Sequence, residues 1–393
     1  MSTGNRGAEG ILPADAEGAL LVGRAQTPEG PSVVTLRGGR LIDVSHTFAT
    51  TRAVTEHPDP AAAVRAADGP DIGGFAEVWA NTDPEVRDVE RPWLLAPIDL
   101  QVVKAAGVTF PVSMLERVIE ERARGEAEAA AGIRTAVLDA IGGDIADLVP
   151  GSPEAARLKD VLVEQGMWSQ YLEVGIGPDA EIFSKAPVLA AVGAGADVGV
   201  LAESAWNNPE PEVVIAVSSV GAIVGAALGN DVNLRDIEGR SALLLGRAKD
   251  NNASASIGPF LRLFDGAFSL DDVRTETVSL IVEGEDGFRM SAESHMSRIS
   301  RDPVDLARQA AGRHHQYPDG FVLYLGTMFA PTDDRGEPGR GFTHREGDVV
   351  TISSPRLGAL VNRVRHSEDV APWTFGIADL MANLASRGLI RKT

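Results

Sequence analysis

From Tyr171 onward the chain is made of short apolar runs that stop after about five residues, and this segmentation constrains the fold more than any other feature. Val213–Val217, Ala222–Leu228, Val278–Val282, Phe321–Leu325 and Val349–Ile352 are separated by Gly, Asp, Asn and Pro. Runs of that length, β-branched in content and bounded by turn formers, read as strands rather than helices. Many short strands expose many edges, which a chain protects by closing or rolling the sheet. The spacing predicts a β-rich catalytic domain over residues 166–393, with a final helix near Ala378–Ser386.

The first part of the chain has a different texture. Residues 1–16 read as a tail. Residues 17–100, with strand-like pieces at Leu20–Gly23 and Ser32–Leu36, read as a small N-terminal domain. Residues 101–165 read as a helical connector or lid. There Ser113 and Glu116 have capping-box spacing, and Leu115, Val118 and Ile119 share a helix face. Helical pattern extends to about Ile145, and Pro153–Val163 reads as a further helix. The expected fold class is α+β.

Composition narrows the chemistry. None of the 393 residues is cysteine, which excludes disulfides, thiolate metal sites and thiol nucleophiles together. No apolar run approaches the roughly 20 residues that span a bilayer, and the first residues lack a signal-like apolar core. A cytoplasmic location with no membrane partner is the expectation. A formal net charge of −20 repels nucleic acid, so no nucleic-acid partner is expected. An anionic substrate would need a local positive centre.

Glu210-Pro211-Glu212 opens one of the strands. Side chains two apart in a strand face the same way, about 6.6 Å along the chain, and proline is tolerated at a strand's first residues. Two adjoining carboxylates repel each other unless a cation reverses the cost. The following strand ends at Leu228-Gly229-Asn230-Asp231, a hairpin's length away, which returns Asp231 beside the pair. Three carboxylates without His or Cys make a hard-oxygen set suited to Mg²⁺, Mn²⁺ or Ca²⁺ rather than Zn²⁺. On spacing alone, solvated acids and a turn-capping aspartate account for the same residues. The glycine-rich stretch Val192–Gly199 lacks dinucleotide-fingerprint spacing, and the adjacent His314 and His315 point apart.

At these residues a family likeness emerges. Asn208-Pro209-Glu210-Pro211-Glu212, then Gly229–Asp236, Gly246-Arg247-Ala248-Lys249 and Ile257-Gly258-Pro259 resemble the core of the fumarylacetoacetate hydrolase superfamily. Leu325–Pro331 is similar to its Thr-Gly-Thr-Pro loop, and Gly347–Val350 with Gly358–Asn362 to its closing strands. Glu181-Ile182-Phe183-Ser184-Lys185 and Ala105–Phe110 resemble segments of the branch that dehydrates 2-keto-3-deoxy sugar acids. Residues 99–165 hold no histidine, against the lid histidine of the superfamily's carbon–carbon hydrolases.

The resemblance implies a mixed β-sandwich roll, a homodimer or homotetramer, and ligation of Mg²⁺ (or Mn²⁺) by Glu210, Glu212 and Asp231. It also implies a small 2-keto acid substrate. The expected reaction is dehydration of a 2-keto-3-deoxy-pentonate, of xylonate or arabinonate type, to 2,5-dioxopentanoate through a metal-stabilised enolate. Glu181 is then the leading general acid/base, with Glu116 or Glu120 as alternatives, and Lys249 its catalytic companion. Arg235, Thr327 and Lys185 are expected to bind substrate. An acylpyruvate-type hydrolase or an oxaloacetate decarboxylase is the alternative.

Overall fold

The computed structural model describes residues 7–124, 126, 148–164, 166, 168–329, 334–336 and 341–390. Its strands in chain order are β1 (Leu21–Thr27), β2 (Gly30–Arg37), β3 (Arg40–Asp43), β4 (Asp71–Gly74), β5 (Trp93–Leu95), β6 (Val102–Gly107), β7 (Glu181–Ala186), β8 (Asp197–Val200), β9 (Asn207–Asn208), β10 (Pro211–Val217), β11 (Ile223–Asp231), β12 (Asn233–Leu234), β13 (Ala255–Leu263), β14 (Thr277–Glu283), β15 (Arg289–His295), β16 (Phe321–Tyr324), β17 (Val349–Ser354) and β18 (Gly358–His366). One large sheet runs β4-β3-β2-β1-β13-β11-β10-β16-β6-β7, with β5 also on β1. A second sheet runs β15-β14-β17-β18-β8, and β12 pairs with β9. The fold is α+β, as expected.

The alternation of side chains along β10 shows why its sequence is a continuous apolar run. Val213, Ile215 and Val217 pack in one core cluster with Leu280, Val350, Ile352 and Leu360 of the second sheet. Val214 and Ala216 point to the other face and join Val22, Val33, Leu261 and Tyr324. Because both faces are covered, every position of the strand is buried and apolar alternation disappears. Each fully buried Val, Leu or Ile stabilises the fold by roughly 1.5–3 kcal/mol relative to an exposed one. Cores on both faces hold this strand in place.

β1 pairs antiparallel with β13, Leu21 opposite Arg262, so strands of the first hundred residues extend the same sheet as β10 and β11. Two local expectations are corrected. Residues 102–107, read as the start of a helical connector, form β6, parallel to β16 and antiparallel to β7. The next helix, Pro111–Arg122, begins two residues before Ser113 and has no capping box. Proline fits its first turn because the missing N–H has no partner there anyway, and Ser113 Oγ donates to the Phe110 carbonyl. The helices Pro153–Glu164 and Ile377–Ser386 are present. Residues 127–147, which carry the rest of the expected helical pattern, lie outside the described residues, as do 1–6 of the tail and Ala330-Pro331. No described helix is long and apolar enough to cross a membrane.

Candidate metal and acid–base site

The hairpin of β10 and β11 sets the register of the three acids. Pro211 lies opposite Asn230 and Glu212 opposite Gly229, and the Asp231 N–H donates to the Glu210 carbonyl at 3.1 Å. Glu210, Glu212 and Asp231 are all buried, and one carboxylate oxygen from each falls within 4.8 Å of the others. The gathering anticipated from spacing is therefore real. A second grouping, Glu346, His366 and Asp369, lies at the surface, with the imidazole 3.9 and 3.6 Å from its two acids.

Cations and dipoles surround the trio. Lys249 Nζ donates to Glu210 Oε2 at 2.5 Å and lies 3.2 Å from Asp231 Oδ2. Burial works against its charge, but Asp231 and Glu210 outweigh it and keep the ammonium protonated. Asp231 is held below the usual carboxylate range, despite burial, by Lys185 and Lys249. For Glu212 the pull of Lys249 is outweighed. Its Oε2 accepts from the Gly326 N–H at 2.7 Å, yet burial, followed by repulsion from Asp231 and Glu210, pushes its carboxyl well up. Gly326 sits at φ +88°, and a Cβ there would fall 1.9 Å from Thr109 Oγ1, so only glycine can present this N–H.

The opposite wall is the edge pair β6–β7. Gly107 faces Glu181 across it, and a Cβ on Gly107 would lie 2.0 Å from Glu181 Oε2. The missing side chain makes room for the carboxylate. Burial chiefly, then the nearby Glu238, push the Glu181 carboxyl up to about 7. That value suits a group that must both take and return a proton near neutrality.

The helix Pro111–Arg122 closes the cleft with paired charges. Arg117 reaches Glu210 Oε1 at 2.5 Å, and Glu120 Oε2 and Glu238 Oε2 at 2.8 Å each. Arg235 Nε donates to Glu120 Oε1 at 2.7 Å, its Nη2 lies 3.7 Å from Glu116, and its guanidinium stacks on Trp206 at 4.2 Å. Although burial opposes it, Arg235 and Arg117 hold the Glu120 carboxyl low, which makes it a poor proton donor.

Of the residues singled out from sequence, Glu181, Glu210, Glu212, Asp231, Arg235, Lys249 and Thr327 all line one cleft, with Glu116 and Glu120. Thr327 Oγ1 accepts from the Phe329 N–H at 3.0 Å. Lys185 is not in that lining. It is completely buried, 2.8 Å from Asp231 Oδ1, and donates to the carbonyls of Val232 and Lys249. Its position braces Asp231 and the Lys249 backbone from behind. Arg117 and Glu238 were not singled out. The spacing of Ser113, Arg117 and Glu120 at i, i+4 and i+7 marks a polar helix stripe that pointed to Arg117; Glu238 carries no such signal.

Seven carboxylates and three cationic side chains line the cleft. That excess, with three converging hard oxygens and a repelled Glu212, fits a hard dication.

Residues 179–365 match the family described as fumarylacetoacetate (FAA) hydrolase, C-terminal. A segment covering 47% of the chain is 30% identical over 188 residues to the 2-dehydro-3-deoxy-D-arabinonate dehydratase of Saccharolobus solfataricus. A segment covering 51% is 31% identical to the probable 2-keto-3-deoxyxylonate dehydratase of Haloferax volcanii. The matched segments span 58% and 65% of those relatives' own lengths. Among solved structures, a hexagonal crystal form of 2-keto-3-deoxyarabinonate dehydratase superposes with a TM-score of 0.62 at 17% identity, over 88% of this chain and 99% of that one. 2-Keto-3-deoxy-D-arabinonate dehydratase complexed with magnesium and 2,5-dioxopentanoate superposes at 0.59 with 18% identity, over 88% of this chain and 99% of that one. These solved structures share the fold of this chain, and its residues 179–365 are similar to the fumarylacetoacetate hydrolase C-terminal family.

Proposed function

We propose that the chain is a Mg²⁺-dependent hydro-lyase that converts a 2-keto-3-deoxy-pentonate, of xylonate or arabinonate type, to 2,5-dioxopentanoate. The observation that carries this reading is one cleft with a buried carboxylate trio on its floor and a neutral-range carboxyl, Glu181, on its wall. The names of the two curated relatives support the same substrate class. The cleft lining, among the described residues, offers carboxylates, Lys and Arg but no imidazole to activate water for carbon–carbon hydrolysis.

Glu210, Glu212 and Asp231 would hold the dication. When bound, it supplies Lewis acidity that polarises a 2-keto group and acidifies the adjacent C3–H. Glu181 takes the C3 proton and returns it to the departing C4 hydroxyl, and tautomerisation of the dehydrated product yields the semialdehyde. Lys249, kept protonated beside Glu210 and Asp231, orients the acid and offsets its charge. Arg235 and Thr327 face the same space and meet the rest of the substrate. A cytoplasmic location and a homodimer or homotetramer belong to this proposal.

The test is parallel incubation with 2-keto-3-deoxy-xylonate, 2-keto-3-deoxy-arabinonate, oxaloacetate and an acylpyruvate, with Mg²⁺ and with EDTA. Semialdehyde from a sugar acid, lost with EDTA and regained with Mg²⁺, is the expected result. Turnover of only oxaloacetate or the acylpyruvate would move the assignment to a decarboxylase or hydrolase.

A further inference from the structure

We infer that Arg117 is a positioning residue that occupies Glu210 while the dication is absent and yields it when the dication binds, so that metal binding and the seating of the helix Pro111–Arg122 oppose one another. This rests on the reading of Glu210, Glu212 and Asp231 as the dication's ligands.

Both oxygens of Glu210 are taken by cations: Oε1 by Arg117 Nη2 at 2.5 Å and Oε2 by Lys249 Nζ at 2.5 Å. A dication that draws on this buried carboxylate meets two positive charges in a medium that screens them poorly. One of them yields, and the two differ in what they lose. Lys249 ends a short helix, Leu245–Lys249, its own carbonyl tied down by Lys185 Nζ at 2.6 Å and by Ser254 Oγ at 2.7 Å. Its ammonium also serves Asp231, a second member of the trio. Arg117 has two other carboxylates already in reach, Glu120 and Glu238, at 2.8 Å each. A guanidinium with five N–H donors can leave Glu210 and remain paired. Arg117 is therefore the cation that gives way at least cost. Because Glu120 is also gripped by Arg235, the displaced Arg117 stays on the helix side of the cleft.

Coupling of this kind is reciprocal: if the dication loosens Arg117, then Arg117 weakens dication binding by the same factor. The test uses Mn²⁺ alone, titrated into wild type and Arg117→Gln, with free Mn²⁺ read by EPR. We expect Arg117→Gln to bind Mn²⁺ about tenfold more tightly, within the usual span of coupling between sites. A residue that only held the fold together would weaken binding when removed. In wild type, hydrogen exchange of the amides in Pro111–Arg122 is expected to quicken on Mn²⁺ saturation, a readout that survives even if the variant folds poorly. Equal or weaker binding by a folded Arg117→Gln, or exchange that Mn²⁺ slows or leaves unchanged, would overturn the coupling. If Asp231→Asn abolishes Mn²⁺ binding while Arg117→Gln is indifferent, the coupling alone falls. If wild type binds no Mn²⁺, the reading of the trio falls, and the coupling with it.

Discussion

On the floor of the cleft, Glu210, Glu212 and Asp231 ride on β10 and β11, which lie inside the large sheet between β13 and β16. Over them, the helix Pro111–Arg122 reaches the site through side chains alone, by way of Arg117, Glu116 and Glu120. The floor is placed by backbone pairing and by apolar packing on both faces, so its geometry is paid for before any ligand arrives. The helix buries Met114, Val118 and Ile119 against Tyr171, Leu172 and Ile176 on its far side, and it meets the site through ion pairs among several acids and two arginines, which can exchange partners with little change in the number of pairs. The first region suits a fixed demand such as three oxygens around a cation. The second suits a part that must accommodate what enters and leaves. The pocket between them is where rigidity and adaptability meet.

The floor should fail outright when altered. Glu212→Gln, or chelation with EDTA, is expected to lower turnover by about 10³-fold, the scale of several kcal/mol of lost charge stabilisation. Added Mg²⁺ should restore the EDTA-treated protein but not the variant, as steady-state assay would show; retained turnover in Glu212→Gln would break the contrast between floor and helix. The wall carrying the proton is expected to lose rate but keep the metal. Glu181→Gln should drop kcat by roughly 10²–10⁴-fold, with Mn²⁺ affinity by EPR little changed. Near-normal kcat would remove Glu181 from the proton-transfer role.

Gly107→Ala sharpens the same point without touching a titratable group. The added methyl overlaps Glu181 Oε2, the far end of a movable side chain, so the carboxylate moves and the sheet survives. A kcat loss of about 10²-fold with an unchanged circular dichroism spectrum is expected from that displacement. The smallest effect is that of pH. In the proposed reaction Glu181 acts as a base when ionised, so rate should rise with pH and fall about tenfold per unit below its pKa. The carboxyl lies at about 7 from burial and Glu238, and a bound dication lowers it, so the acid limb should sit at or below pH 7. A pH–rate profile with this limb in wild type and none in Glu181→Gln is the expected pair of curves. Stability follows the opposite sign. A carboxyl raised above its usual 4.5 favours the protonated folded state, so its contribution is present at low pH and lost as pH rises through about 7.

Much of the floor was legible in advance because its determinants are local. The apolar runs at Val213–Val217 and Ala222–Leu228 became β10 and β11, and their hairpin spacing placed Asp231 beside Glu210. Residues around the helix were less legible. Arg117 meets Glu210 across 93 residues of chain, and no periodicity encodes such an encounter. Lys185 looked like a substrate-binding residue beside Glu181, yet four residues further along β7 it is buried against Asp231, while Glu181 lines the cleft. The capping-box spacing at Ser113 misled because Pro111 had already begun the helix.

By itself, then, the amino-acid order determined the strand segments, the hard-oxygen donor set and the family likeness of the segment 179–365, since each is written in short-range pattern and residue type. Only the tertiary structure decided which cation pairs with which acid, why Glu181 titrates near neutrality, and that strands from the first hundred residues extend the sheet that carries the site. Those outcomes depend on burial and on charges brought together from distant parts of the chain, and local sequence holds no measure of either.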